Sequence, residues 1–112
     1  MPAGMGDAGR LLGLIGLGYR ARNVTIGVDA VRRDLQGGKC WCVVVAEDAS
    51  PRAVDKVVRL AAAKGVPLVP GPSAAAIGAQ VGKPPVMAVG VRDRALAHGI
   101  VPLAPVRSCM ED

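Results

Sequence analysis

A glycine followed by a short basic helix is the pattern in this sequence best suited to binding chemistry. Gly27 opens the segment 27–36, in which Val28, Val31 and Leu35 have the spacing of a helix with one buried face. The N–H groups of a first helical turn bind phosphate, and nearby cations strengthen that binding. The basic residues in and around the segment are Arg20, Arg22, Arg32, Arg33 and Lys39, against the acids Asp29 and Asp34. The alternative is a solvated helix face with an Asp29–Arg33 ion pair. Entry at a glycine favours nucleic acid.

A second candidate site is the acidic pair Glu47–Asp48, which follows the apolar run 40–46. Two carboxylates at the end of a strand could bind Mg²⁺ or act as acid and base. The simpler interpretation is turn chemistry before the helix that Ser50 and Pro51 begin, because a helix dipole favours acids at its start.

Cysteine and histidine residues are too few and too scattered for a standard zinc site. On a strand, Cys40 and Cys42 would face one side and Trp41 the other. The remaining candidate ligands, Cys109 and His98, fit no zinc-finger spacing. We therefore interpret the two cysteines as buried structural residues and His98 as a surface or helix-end residue.

The glycines of Gly13-x-x-Gly16-x-Gly18 do not form a dinucleotide-binding loop. Their order differs from G-x-G-x-x-G, and no strand precedes them to direct a helix at a pyrophosphate. They lie instead in a predicted helix, 8–20, where Gly9, Gly13 and Gly16 would form one side that a neighbouring element could approach closely.

The elements that must position these residues alternate along the chain. The run 40–46 lacks polar alternation, so we predict a central strand covered on both faces. The sequence predicts a three-layer α/β/α sandwich, in the α/β class, with a mixed sheet of about four strands. Predicted helices are 8–20, 27–36, 51–64, 74–81 and 94–98, and predicted strands are 22–26, 40–46, 66–69 and 86–91. We expect one domain, 1–100, with a loose lead-in at 1–7 and a flexible tail at 101–112.

The composition of the chain indicates which classes of partner to expect. The net charge is +5 and the pI is near 9.6, which favours an anionic partner. Three cysteines without a signal peptide favour the cytoplasm. The apolar run 11–17 is too short for a membrane span, so no membrane partner is expected.

Three segments, in order, carry a resemblance to a known family. They are 27–33 with Leu35 and Gly38, then 43–51 (Val-Val-Val-Ala-Glu-Asp-Ala-Ser-Pro), then 65–69 continuing to Ile77–Gly78. Over about residues 11–100 the chain resembles the kink-turn RNA-binding ribosomal protein family. The resemblance implies an α/β/α sandwich and RNA binding without enzymatic activity.

The resemblance also implies roles for single residues. Gly27, Asp29 and Arg33 correspond to the glycine, the polar residue and the cation with which family members grip sharply bent RNA. The loop 70–74 corresponds to one that covers an extruded base. At the position of Asp29, RNA-binding members have Asn or Lys. This difference matters because a carboxylate repels phosphate and can only accept hydrogen bonds. The Pro-Gly-Pro loop lacks the longer aliphatic side chains of the family.

We therefore predict a non-enzymatic, ribosomal-protein-like protein that binds structured RNA, with a kink-turn as the candidate target. We expect no cofactor, no metal, no small-molecule substrate, and a monomer. The alternatives are a protein-interaction module on the same fold and, third, a small enzyme using Glu47, Asp48 and His98. The predicted RNA-binding residues are Arg20, Arg22, Gly27, Asp29, Ala30, Arg32, Arg33, Glu47, Pro70, Gly71, Pro72 and Ser73.

Overall fold

Helices and strands alternate along the chain, as the sequence predicts. The structure is a computed structural model that describes the backbone of residues 3–101 and the side chains of residues 9–101. Its elements are α1 (Ala3–Arg20), β1 (Val24–Ile26), α2 (Val28–Gln36), β2 (Cys42–Ala46), α3 (Pro51–Lys64), β3 (Leu68–Gly71), α4 (Ala74–Val81), β4 (Ala88–Val91) and α5 (Arg94–Ile100).

The four strands form one mixed sheet in the order β1-β4-β2-β3. β4 is antiparallel to both of its neighbours, and β2 is parallel to β3. At the centre, Val44 of β2 pairs with Val89 on one side and with Val69 on the other. The predicted mixed sheet with a buried central strand is confirmed.

Helices cover both faces of the sheet. Ile15 of α1, Ile77 of α4 and Ile100 of α5 are fully buried on one face. Val31 and Leu35 of α2 meet Val57 of α3 on the other. A core of aliphatic side chains is sufficient here, because each fully buried one contributes roughly 1.5–3 kcal/mol relative to exposure.

The first helix is longer than predicted, and its glycines are used differently. α1 begins at Ala3, so the predicted loose lead-in over 1–7 is wrong for the described residues from Ala3 onward. A Cβ at Gly16 would lie 2.8 Å from Nε2 of Gln80, and one at Gly18 would overlap Leu96 and Val24. Gly9 and Gly13 have nothing so close, so among the four glycines of 9–18 only Gly16 and Gly18 serve close packing. The predicted tail, apart from Val101, lies outside the described residues.

The third strand lies two residues later than predicted. β3 spans Leu68–Gly71 instead of 66–69, because its pairing with β2 runs from Val43–Leu68 to Ala46–Gly71. Pro70 and Gly71 are therefore strand residues and not part of a loop. The outer position of β3 tolerates Pro70, since an edge strand has one unpaired side.

The two cysteines lie on opposite faces of the sheet, so the prediction that they share one face is wrong. Cys40 packs with Val31 and Leu35 beneath α2, whereas Cys42 belongs to the core beneath α1 and α4. Cys40 precedes β2 and the chain bends at Trp41 between them, and the Cys40 Sγ donates to the carbonyl of Cys42 at 3.2 Å. Burial raises the pKa of Cys40 from 9.0 to about 11 and that of Cys42 to about 12. Both are protonated, structural thiols at neutral pH.

These buried thiols make the fold sensitive to alkaline pH. An unfolded thiol loses its proton near pH 9, whereas the folded thiols keep theirs to about pH 11 or 12. The stability they provide is complete below pH 9 and is lost as the pH rises through the folded pKa values. We expect each thiol to steepen the fall in unfolding free energy by up to about 1.4 kcal/mol per pH unit. Urea denaturation of the wild type and of Cys40→Ala between pH 8 and pH 11 measures this; equal slopes would contradict it.

A strained arginine ends α1. Arg22 has a φ of 63°, a left-handed conformation that glycine adopts freely and other residues adopt at a cost. Its N–H donates to Tyr19 and that of Asn23 to Gly18, which is the helix-ending pattern that normally contains glycine at this position.

Replacing this arginine by glycine should therefore stabilise the protein. We expect Arg22→Gly to raise the free energy of unfolding by up to about 1 kcal/mol, because relief of strain exceeds the entropy cost of glycine. Arg20→Gly is the matched control: Arg20 lies inside the last turn of α1, where glycine should destabilise by about 0.5–1 kcal/mol. Chemical denaturation of both variants compares the two effects, and a destabilised Arg22→Gly variant would refute the strain.

Candidate nucleic-acid interface

The sheet topology brings the starts of three helices to one edge. β1 and β2 are both antiparallel to β4, and β3 is parallel to β2, so the carboxyl ends of β1, β2 and β3 coincide. The residues that follow these strands begin α2, α3 and α4. We call this the carboxyl edge, formed by Gly27, Glu47 to Ser50, Pro72 and Ser73. The opposite end of the sheet is the amino edge.

Gly27 leaves the start of α2 open. Its φ of 98° and ψ of 150° are accessible essentially to glycine alone. Its N–H donates to the carbonyl of Ala88 at 2.9 Å, which fixes the glycine to β4. Among the described residues, a Cβ here would meet nothing within 4 Å, and none of their side chains caps the helix. The first-turn N–H groups of α2 are therefore available to an outside acceptor.

Hydrogen bonds join the other two loops of the carboxyl edge. The Glu47 N–H donates to the carbonyl of Pro72 at 3.1 Å. Asp48 Oδ1 accepts from the N–H of Ala74 at 2.8 Å, and Ser73 Oγ accepts from Ala76 at 3.1 Å. Asp48 thus acts as a cap for α4, and the loops after β2 and β3 form one unit.

The acidic pair does not form a metal site with other ligands in the described part of the chain. No group of three or more His, Cys, Asp and Glu residues there could hold a metal ion. His98 lies on α5, which starts at the amino edge, far from Glu47 and Asp48. The three residues of the enzyme alternative are not brought together.

Charges on α2 pair differently from the predicted pattern. Asp29 forms its ion pair with Arg32, at 3.6 Å, and not with Arg33 as in the alternative interpretation of a solvated helix face. The Asp29 side chain is 88% exposed, so the pair contributes little to stability. Arg33 is exposed one turn beyond Asp29 and has no ion pair among the described residues. Ala30, in the first turn, is half-buried.

The structure places most of the predicted binding residues at or near the carboxyl edge and puts four of them elsewhere. Arg20 and Arg22 precede β1, whereas Gly27 follows it, so these arginines lie at the amino edge. Pro70 and Gly71 lie within β3, and only Pro72 and Ser73 of that segment reach the carboxyl edge.

Two exposed residues at the carboxyl edge were not among the binding residues predicted from the sequence. Met87 is 37% exposed, and its carbonyl accepts from Ala46 at the end of β2. The sequence placed it inside a strand, and no local signal revealed its exposure. Arg52 is exposed in the first turn of α3, and Pro51 at the helix start was the signal that could have located it.

No helix within the described residues is long and apolar enough to span a membrane.

Comparison with solved structures supports the fold. A structure from Bacillus halodurans, of a protein with unknown function, superimposes with a TM-score of 0.79 at 24% identity and covers 84% of this chain and 95% of that one. The Giardia lamblia 15.5kD RNA binding protein superimposes with a TM-score of 0.75 at 24% identity, covering 87% of this chain and 83% of that one.

Comparison of sequences identifies the family. The chain is 32% identical over 90 residues to RNA-binding protein YlxQ of Bacillus subtilis (strain 168), which covers 80% of this chain and 90% of the relative. The model of the ribosomal protein L7Ae/L30e/S12e/Gadd45 family matches residues 10–99. The chain therefore belongs to the ribosomal protein L7Ae/L30e/S12e/Gadd45 family.

Proposed function

We propose that this protein is a non-enzymatic RNA-binding protein that contacts structured RNA through its carboxyl edge. Family membership and the RNA-binding relative support the class of partner. The observation that carries the proposal is the open first turn of α2 at Gly27, with exposed Arg33 one turn further on.

We also propose that the protein is one globular domain, a monomer, and located in the cytoplasm. Sedimentation at increasing protein concentration tests whether it is a monomer.

The start of α2 provides the phosphate contacts. Its uncapped N–H groups donate to phosphate oxygens without requiring a particular base. Arg33 extends the contact along the helix by a charge-assisted hydrogen bond. Glycine at position 27 lets the RNA backbone approach closely, because it has no side chain of its own and no other described residue lies in the space beside it.

Asp29 lowers the affinity for RNA and contributes selectivity for particular bases. Its carboxylate can accept from a guanine amino group or from cytosine N4, but it repels phosphate. Its ion pair with Arg32 also withholds part of that cation from the RNA. A kink-turn is the candidate target, and Asp29 is the residue that makes this chain a weaker binder of it.

An apolar contact on the same edge comes from Met87. The Pro-Gly-Pro segment has no long aliphatic side chain to cover an unstacked base. Met87 and Pro72 each accept a backbone hydrogen bond from the end of β2, at Ala46 and Glu47. The exposed, flexible thioether can pack on a base that is turned out of the helix.

Removing the cation of α2 should weaken RNA binding. We expect Arg33→Ala to lower affinity for kink-turn RNA and to reduce the slope of log affinity against log salt by about one unit, because one phosphate contact is lost. Arg59→Ala is the matched control, since Arg59 lies in the middle of α3 in an exposed ion pair with Asp55. Fluorescence anisotropy with kink-turn RNA, straight duplex and single strand provides the measurement.

Two results would count against the proposal in different ways. If none of the three RNAs binds in a salt-sensitive manner, the protein is not an RNA-binding protein. If kink-turn RNA binds but Arg33→Ala leaves both affinity and salt slope unchanged, the RNA contacts another part of the surface.

Neutralising Asp29 should strengthen binding. We expect Asp29→Asn to tighten kink-turn binding by roughly 0.5–1.5 kcal/mol, because an amide can donate a hydrogen bond and Arg32 is released. Asp55→Asn makes the same charge change on the exposed face of α3 and should have a much smaller effect. The anisotropy titration compares the two; no difference between them would refute the role assigned to Asp29.

A further inference from the structure

The amino edge places four chain segments side by side. The carbonyl of Asn23, before β1, accepts from the N–H of Arg92, after β4, at 2.7 Å. The N–H of Trp41, before β2, donates to the carbonyl of Val91 at 2.7 Å. Pro67, before β3, accepts from Val43. These bonds form a continuous row of loops across the sheet end.

Six of the thirteen lysine and arginine residues in the range 9–101 lie along this row. Its cations are Arg20, Arg22, Lys39, Lys64, Arg92 and Arg94. Of its acids, Asp34 binds Thr25 and Arg92, and Asp93 caps α5 at Leu96. At the carboxyl edge, by contrast, Asp29, Glu47 and Asp48 balance Arg32, Arg33 and Arg52. The helix dipole accounts for Arg20 and Lys64 at helix ends, but not for Arg22, Arg92 and Arg94.

An exposed aromatic ring lies within this basic row. Trp41 is the single tryptophan of the chain and is 50% exposed. The guanidinium carbon of Arg94 lies 5.7 Å from its ring centroid, which holds the two side chains together. Trp41 also lines a cavity of about 620 Å³, together with Lys64, Pro67 and His98. A flat ring beside cations and a cavity is the arrangement that receives an unstacked base.

Backbone strain at the same edge supports a functional role. Arg22 keeps an unfavourable left-handed conformation at a helix end where glycine would fit without strain. Such strain concentrates where function requires a particular side chain. The strained conformation of Arg22 holds a cation in the row, next to the hydrogen bond between Asn23 and Arg92.

We propose that the amino edge is a second RNA-binding surface, which holds a single-stranded segment with one base stacked on Trp41 and flanking phosphates on Arg22, Arg92 and Arg94. This goes beyond the binding proposed for the carboxyl edge and does not depend on it. An acidic protein would match the positive charge of the row, but its binding would not use the exposed ring of Trp41 or the cavity beside it. Structured RNA and its single-stranded extension would thus occupy opposite ends of one sheet.

The single tryptophan reports on this surface without a label. Titration of the full chain with a short oligouridylate at low salt should quench Trp41 fluorescence to saturation, and added salt should reverse the quenching. Anisotropy of labelled oligouridylate should show roughly ten-fold weaker binding by Trp41→Ala. Arg59→Ala, which removes an exposed cation from the middle of α3, should bind as the wild type does.

Arg22→Gly separates function from folding. It should bind oligouridylate several-fold more weakly while unfolding at a higher denaturant concentration than the wild type, a combination that a damaged fold cannot produce. Arg94→Ala should also weaken binding, whereas Arg33→Ala should leave oligouridylate binding unchanged and Trp41→Ala should leave kink-turn affinity unchanged.

The same titrations contain the results that would overturn the proposal. These are no quenching by oligouridylate at low salt, quenching that Arg22→Gly and Arg94→Ala leave unaltered, or quenching by oligoglutamate in place of oligouridylate. The last would identify a surface for acidic proteins. None of these depends on whether kink-turn RNA binds the carboxyl edge, so each proposal can fail alone.

Discussion

The antiparallel pairing of β4 with both β1 and β2 is the constraint on which the rest of the structure depends. It makes β1 and β2 parallel to each other although they are not neighbours. As a result the starts of α2, α3 and α4 share one edge, and the loops that enter β1, β2 and β3 share the other. In a fully antiparallel sheet neighbouring strands alternate in direction, so the carboxyl ends of the neighbours β2 and β3 would not lie on the same side.

The two edges are built with different chemistry. At the carboxyl edge, backbone groups dominate: glycine leaves N–H groups free, and Asp48 and Ser73 fix neighbouring loops through hydrogen bonds. At the amino edge, long cationic side chains and one aromatic ring dominate. Backbone donors give a contact of fixed geometry, which suits a folded RNA shape. Flexible cations around a ring tolerate many sequences, which suits an unpaired strand.

Local signals predicted much of the fold and part of the site. The helix α4 is Ala74–Val81 in both prediction and structure, because the Ser73 cap acts within one helical turn. β3 lies two residues later than predicted because its register is set by β2, which is distant in sequence. Gly27 and Arg33 share one helix and were predictable together. Arg20 and Arg22 are close to Gly27 in sequence, but a strand carries them to the opposite edge, and no local pattern reveals that separation.

The two outer strands leave little for another copy of the chain to pair with. β1 has only three residues, and β3 contains Pro70, which lacks a backbone N–H. Short strands and proline are the devices by which sheets avoid growing into larger sheets. A basic protein gathered at high local density on a polyanion is under particular pressure to self-associate, since its own charge is neutralised there. Because β1 is short and β3 contains proline, copies of the chain that came close together on RNA would have few backbone groups through which to pair their sheets.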